Sequence, residues 1–160
     1  MTFTASLLKE MEQEALTTRK MLERVPDNQF DWQPHEKSMT LRALATHVAE
    51  IPGWLPLILS TSEMDFLQME YKPKMISTTA ELVSHLEESL TAGRQALSGT
   101  NDQQLISETW TMRSGDTIHS CLSKLENIRH QFPIRKTVTT QLKRCRIVSQ
   151  PYLLVHSPIP

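Results

Sequence analysis

Cysteine and glycine are both scarce in this chain of 160 residues, which has only Cys121, Cys145 and four glycines. Two thiols are too few for a disulfide framework, and the N-terminus lacks the basic, apolar and small-residue pattern of a secretory signal. We therefore expect a reducing, cytoplasmic location. The low glycine content and a formal net charge of −1 exclude a collagen-like chain and a highly charged disordered chain.

Long hydrophobic runs are also missing. The longest apolar stretch runs from Ile51 to Leu59 and is interrupted by Pro52, Gly53 and Pro56. A helix needs about 20 apolar residues to cross a bilayer, so no membrane span is predicted. The two prolines instead predict a kink or an early stop in a helix. The content of 39% apolar and 22% charged residues is typical of one globular domain.

Acidic residues are absent from the end of the chain. Residues 1–126 carry 18 acidic and 11 basic side chains, a balance of −7, whereas residues 127–160 carry six basic side chains and none that is acidic. Four of the nine prolines also fall in that last stretch. We therefore divide the chain into a helical domain, residues 1–132, and a divergent, basic, proline-containing tail, residues 133–160.

Apolar residues recur at steps of three and four in four stretches, which predicts amphipathic helices. The stripes run from Leu8 to Leu22, Leu41 to Leu55, Val83 to Leu97 and Ile118 to Phe132. Residues 60–77 and 98–116 read as connections, and β-branched alternation is nearly absent. The predicted fold is all-α, an up-and-down four-helix bundle with an atypical C-terminal segment.

Local signals mark the ends of these helices. Pro26 ends the first helix and Pro133 should break the fourth, because proline lacks the amide hydrogen that a helix interior requires. The second helix is expected to begin near Ser38 to Thr40, whose hydroxyls can accept its first amides. Thr78 and Glu81 have the spacing of a capping box at the start of the third.

The loop before the second helix carries a specific motif. Residues Trp32 to Ser38 have the pattern Trp-x-Pro-x-x-x-Ser, and the following helix contains His47. Together with the runs Thr109–Asp116 and Lys124–His130, this stretch resembles the DinB/YfiT-like family, known for DNA-damage-inducible proteins. The resemblance covers roughly residues 1–132 and implies a four-helix bundle with one metal site at its end.

That resemblance also implies a ligand set. The family site is normally made of a helix-two histidine and a His-x-x-x-His pair on the last helix, and its nickel or zinc ion supports thiol transferases, isomerases and hydrolases. Three protein ligands leave open positions for water or substrate. His47 matches the helix-two ligand. His130 is the nearest candidate for a second ligand, one turn before the family position, and no histidine pair follows it.

A change of reading frame explains both the missing pair and the switch in charge. Thr139 and Thr140 lie near the expected histidines. Two ACC threonine codons read one base earlier, after a C, become CAC codons for histidine. The hypothesis is that the sequence after about residue 130 is out of frame, through mutation or a sequencing error. The idea fails if no displaced frame in the coding DNA encodes a His-His-Arg-like segment.

These observations predict a metal-dependent enzyme of the thiol-transferase or hydrolase type with an incomplete three-histidine site and impaired activity. A small-molecule thiol is the expected substrate, and a homodimer is the expected assembly. The alternative is a non-catalytic, stress-associated bundle that acts through dimerisation or partner binding. Direct nucleic-acid binding is not expected, because the six basic residues after position 126 lack interleaved aromatic side chains.

Three further side chains have simpler expected roles. Cys121 falls on the apolar stripe of the fourth helix and is predicted to be a small core residue. His85, between polar neighbours, is predicted to lie on the surface of the third helix. His35 lies in the motif loop and is predicted to be exposed to solvent.

Overall fold

The computed structural model of the chain describes residues 2–131. Six helices and three strands are present in that range. The helices are α1 (Phe3–Leu22), α2 (Leu41–Glu50), α3 (Leu55–Ser60), α4 (Thr79–Ser98), α5 (Asp102–Ser107) and α6 (Lys124–Gln131). The strands are β1 (Glu63–Asp65), β2 (Thr109–Ser114) and β3 (Thr117–Ser123).

The end of α1 and the start of α4 lie where the sequence predicts, and α1 begins at Phe3, five residues before the predicted stripe. The Thr2 hydroxyl accepts the amide of Ala5 at the start of α1, and α1 ends before Pro26. At the start of α4, Thr78 and Glu81 form a complete capping box. These caps satisfy amides that have no partner within the helix, so short-range chemistry sets the boundaries.

The predicted break in the second helix is also present. Helix α2 ends at Glu50, a single 3₁₀ segment spans Ile51–Trp54, and α3 then begins at Leu55. Proline at position 52 has no amide to donate back into the helix, so the chain tightens for one turn before it continues. The break places the start of α3 against α4.

A close contact joins this break to α4. A β-carbon built on Gly93 of α4 would lie 2.8 Å from the carbonyl oxygen of Pro52 and 3.0 Å from Leu55 Cδ1. Only glycine allows the two backbones to approach this far. The apolar core around this contact contains buried side chains from all the longer helices, including Leu7, Met11, Leu22, Leu41, Val48, Leu82, Leu86 and Leu90.

The all-α prediction is wrong, because a small three-stranded sheet packs beside the helices. Strand β2 pairs with β3 in antiparallel fashion and with β1 in parallel fashion, in the order β1-β2-β3. Gly115, at a positive φ of 56°, makes the turn between β2 and β3. A left-handed φ is readily adopted by glycine, which is why the turn forms here.

The sheet changes the prediction for the fourth helix. Residues 117–123 form β3, and α6 begins only at Lys124. Ser123 and Glu126 cap its first turn, because the Ser123 hydroxyl accepts the Glu126 amide and the Glu126 carboxylate accepts the Ser123 amide. This Ser-x-x-Glu spacing was a visible start signal. Phe132, Pro133 and the predicted tail, 133–160, lie outside the described residues.

Two side chains attach the sheet to the helices. Trp110 of β2 is completely buried, and its indole N–H donates to the Thr61 hydroxyl at 3.0 Å. Asn127 of α6 donates from Nδ2 to the carbonyl oxygens of Trp110 and Leu122, both at 3.0 Å. Within residues 2–131, no helix is both long enough and apolar enough to cross a membrane.

Candidate functional site

His47 lies on the last turn of α2, with 46% of its side chain exposed. Its Nδ1 atom is 2.9 Å from Oε1 of Glu50, one turn further along. Residues three apart on a helix share a face, so this pairing follows from the spacing of the two residues. The break after Glu50 ends the helix at this point and leaves the imidazole at the edge of the molecule.

Two aromatic side chains complete the surroundings of His47. The Tyr71 hydroxyl donates to the same carboxylate oxygen of Glu50. The Trp54 ring contacts both neighbours, with ring centres 6.3 Å from His47 and 6.5 Å from Tyr71. We call His47, Glu50, Trp54 and Tyr71 the α2 cluster.

The α2 cluster determines which nitrogen of His47 is available. A carboxylate only accepts hydrogen bonds, so Nδ1 carries the hydrogen that faces Glu50, and Nε2 is left to accept. Burial, followed by the hydrogen bond to Glu50, raises the pKa of Tyr71 above its ordinary value, so Tyr71 stays a neutral donor. Glu50 is thereby held by two donors and in turn orients the imidazole.

The residues of the α2 cluster do not fit a three-ligand metal centre. Among residues 2–131, no group of three or more His, Cys, Asp or Glu side chains is arranged to hold a metal ion. His130, the second predicted ligand, is exposed on α6, and no hydrogen bond or ring contact joins it to the α2 cluster within the described range. Thr139 and Thr140 lie outside the described residues.

The other histidines do not contribute to this cluster. His35 is exposed, as predicted, and its Nδ1 accepts the Lys37 amide at 3.1 Å. His119 lies on β3, 2.8 Å from the Ser114 hydroxyl. His85 is less exposed than predicted: it is half-buried, with 15% of its side chain exposed.

Cys121 is also placed differently from the prediction. It lies exposed on β3, not in the core of a helix, and its sulfur accepts the Thr111 hydroxyl at 3.4 Å. The helical stripe that suggested burial is broken by the strand, in which side chains alternate between two faces every two residues.

A separate cavity opens where α3, α5, β2 and α6 meet. Its volume is about 730 Å³, and its walls are Leu59, Ser60, Thr61, Ser62, Gln104, Ser107, Glu108, Thr109 and Lys124. We call it the α5 pocket. Sequence reasoning missed this pocket, because its residues come from three separate stretches of the chain, residues 59–62, 104–109 and 124.

Lys124 is the unusual member of the α5 pocket. Its side chain is 4% exposed, and its ammonium donates to the carbonyl oxygen of Leu59 at 2.8 Å and lies 2.6 Å from Oε2 of Glu108. Hydrogen bonding to Lys124 holds the pKa of Glu108 below its ordinary value. Buried lysines are rare and are normally paired, so this ion pair is a built feature of the cavity.

The chain belongs to the DinB family, whose profile matches residues 1–131. Among solved structures, it is similar to the crystal structure of a DinB-like protein of Bacillus subtilis, YjoA. The TM-score is 0.61 and the sequence identity is 11%, over 97% of this chain and 96% of that one. At this identity the likeness concerns the fold alone. No curated protein matches the chain.

Proposed function

We propose that the chain is a degenerate DinB-family enzyme of the metal-dependent thiol-transferase or hydrolase type, with an incomplete metal site and impaired activity. One observation supports this proposal most directly. In the α2 cluster, the Glu50 carboxylate bonds to Nδ1 of His47, as carboxylates commonly do with histidines that bind metal through the other nitrogen. The described residues form no group of three or more metal-ligating side chains.

In this proposal the four helices of the bundle are α1, the interrupted helix α2–α3, α4 and α6. Contacts between α1, α2 and α4, and between α3 and α6, support that arrangement. His47 then lies on the second helix of the bundle, where the resemblance places the helix-two ligand. His130 lies on the fourth helix, and we propose it as a second remnant ligand.

The residues of the α2 cluster have clear roles without any further ligand. Glu50 holds the imidazole in one orientation, and Tyr71 holds Glu50. The free Nε2 of His47 accepts a proton or a hydrogen bond from a small thiol or a water molecule. Nickel and zinc both accept imidazole nitrogen, but one such ligand binds a divalent ion only weakly.

Metal content after dialysis tests the proposal. We expect the purified full chain, loaded with Ni²⁺ or Zn²⁺ and dialysed, to retain far less than one ion per chain. His47→Ala and His130→Ala remove the proposed remnant ligands and should each lower this value further. The matched control His35→Ala, whose ring lies in the exposed loop, should leave it unchanged. The measurement is elemental analysis, with titration calorimetry for the affinity.

Tight binding would contradict the incomplete site. Stoichiometric metal with a dissociation constant below about 1 μM, lost in His47→Ala but kept in His35→Ala, would show an intact centre. That result would replace the proposal of an impaired enzyme with that of a metal-dependent enzyme whose site is complete.

The non-catalytic alternative has its own supporting observation. Around the β2–β3 turn, Phe66, Leu67 and Ile118 are exposed, Leu67 at 76% and Ile118 at 64%. We call these three residues the turn patch. Phe66 contacts His119 of β3, with ring centres 6.0 Å apart, and Leu67 lies beside Gly115, so the three residues belong to segments that meet at this turn. Exposed apolar side chains in one region mark interaction surfaces. We propose a second copy of the chain as their partner, with the outer edge of β3 alongside.

Sedimentation analysis tests this second function. The unmodified chain should sediment as a dimer, and the double variant Leu67→Ser with Ile118→Ser should sediment as a monomer. Leu16→Ser is the control, since Leu16 is also an exposed apolar residue, at 57%, and lies on α1 outside the turn patch. A monomer before any substitution, or a dimer after both, would contradict the proposal.

A further inference from the structure

The ion pair in the α5 pocket leaves the ammonium of Lys124 with unused bonding capacity. An ammonium donates three hydrogen bonds. The described residues supply two acceptors, the Leu59 carbonyl oxygen at 2.8 Å and Glu108 Oε2 at 2.6 Å. The first is backbone and cannot leave. The second is a side chain, and it is the exchangeable part of the site.

Glu108 is free to move away from Lys124. Its side chain is 48% exposed, and it lies at the junction between α5 and β2. Its other side-chain partner is the Gln104 amide, at a long distance of 3.4 Å. A carboxylate from outside would make the same bond to Lys124, and Glu108 would turn into solvent at little cost.

The rest of the wall offers hydroxyl groups. Thr61 is already engaged with Trp110, and Ser107 donates to a carbonyl oxygen within α5. Ser60, Ser62 and Thr109 have no hydrogen-bond partner for their hydroxyls among the described residues, and all three are exposed on the pocket rim. Hydroxyl groups of this kind pair with the hydroxyl groups of a ligand.

We propose that the α5 pocket binds a small hydroxycarboxylate anion, whose carboxylate replaces Glu108 on Lys124 and whose hydroxyl groups meet Ser60, Ser62 and Thr109. The volume of about 730 Å³ is within the usual range for small-molecule sites. This site shares no residue with the α2 cluster and requires no metal, so it stands apart from the proposed enzyme function.

Two substitutions with opposite expected effects test the proposal. Glu108→Gln removes the competing carboxylate and should tighten binding of the probe, D-gluconate, by about ten-fold relative to the unmodified chain. Lys124→Met removes the charge but keeps the apolar stem, and it should abolish binding. The measurement is titration calorimetry with the full chain at low ionic strength.

Two controls separate specific binding from general charge effects. Glu88→Gln makes the same charge change on α4, outside the pocket, and should leave the gluconate affinity at the unmodified level. Sorbitol has a similar chain of hydroxyl groups without the carboxylate. Its affinity for Glu108→Gln should be about ten-fold weaker than that of gluconate, or weaker still.

A purely structural ion pair predicts different results. In that case Glu108→Gln binds gluconate no more tightly than the unmodified chain or than Glu88→Gln, and the proposal is wrong. Equal affinity for sorbitol and gluconate would also overturn it. If Lys124→Met does not fold, the Glu108→Gln and sorbitol results decide by themselves.

Discussion

The helical layer and the sheet of this protein are held together in different ways. Where α1, α2 and α4 meet, many apolar side chains are buried against one another. Gly93 of α4 also allows close contact with the backbone at Pro52. In the sheet, β3 is largely exposed, and the described strands contribute only Trp110 and Met64 to the buried core. The sheet therefore depends on a few specific contacts, and the helical layer on a dense and distributed packing.

This contrast has a consequence for mutational sensitivity. Loss of one contact from a distributed core leaves most of the burial in place, whereas loss of Trp110 removes the largest buried side chain of a small sheet. The polar groups Asn127 and Asp65 hold backbone groups, the Ser120 hydroxyl and Arg113. They cannot substitute for the area that Trp110 buries.

The largest expected effect comes from Trp110→Ala. It removes a completely buried indole and its bond to Thr61, so the free energy of unfolding should fall by about 3–5 kcal/mol. Urea unfolding followed by circular dichroism measures the change. Leu16→Ala, at an exposed position on α1 outside the turn patch, is the control and should shift stability by less than about 0.5 kcal/mol. Equal effects at both positions would remove the contrast between anchor and surface.

Gly93→Ala tests the helical side of the comparison and should have a smaller effect. Alanine favours helix, but its β-carbon would overlap the Pro52 carbonyl oxygen, so we expect a loss of about 1–3 kcal/mol. Gly99→Ala is the matched control. A β-carbon there has no neighbour closer than 3.6 Å, and φ is −88°, so stability should stay equal or rise by up to about 1 kcal/mol.

The sign of the difference decides this test in urea unfolding. If Gly93→Ala stabilises the chain as much as Gly99→Ala, the contact between α4 and the break after α2 is not tight. The helical layer would then have room for a methyl group at position 93, contrary to our expectation.

The smallest effect concerns Asp65 and appears in acid. Amide hydrogen bonds from Gly115 and Leu67, with the charge of Arg113, hold the pKa of Asp65 below its ordinary value. A carboxyl with a lowered pKa in the folded state stabilises the fold above its unfolded pKa, and this stabilisation is lost as the pH falls through the folded pKa. Asp65→Asn removes that dependence but keeps one oxygen acceptor.

Urea midpoints between pH 7 and pH 2.5 check this expectation. The unmodified chain should lose more stability below about pH 4 than Asp65→Asn does. Asp116→Asn is the control, because Asp116 is exposed in the same turn. Parallel pH profiles for the unmodified chain and Asp65→Asn would show that the carboxylate of Asp65 does not hold the turn.

Much of the helical layer was predictable from local signals. Thr78 with Glu81, Pro26 and Pro52 act within one turn of the chain, so their effects on α4, α1 and α2 are the same in any tertiary context. The sheet was not predictable in this way. Residues 118 and 121 continue a helical stripe toward Leu125, but they form β3, which pairs with β2. The third strand, β1, comes from about 50 residues earlier in the chain.

The candidate sites differ in the same respect. His47 was identified from the motif that precedes it, and Glu50 lies at a spacing that the helix makes meaningful. Tyr71, 21 residues beyond Glu50, has no signal in the sequence that links it to either residue. The pairing of Lys124 with Glu108 was likewise hidden, because a lysine and a glutamate normally indicate two solvated positions.

The sequence by itself determined where α1 ends, where α4 begins and where the second helix is interrupted, and its motif pointed to His47 on α2. Caps, prolines and apolar periodicity act over a few residues, which is why they can be read without coordinates. The tertiary structure alone decided the sheet, the burial of Lys124 and the surroundings of His47. Each of these depends on contacts between distant segments, and their free energy exists only once those segments have packed together.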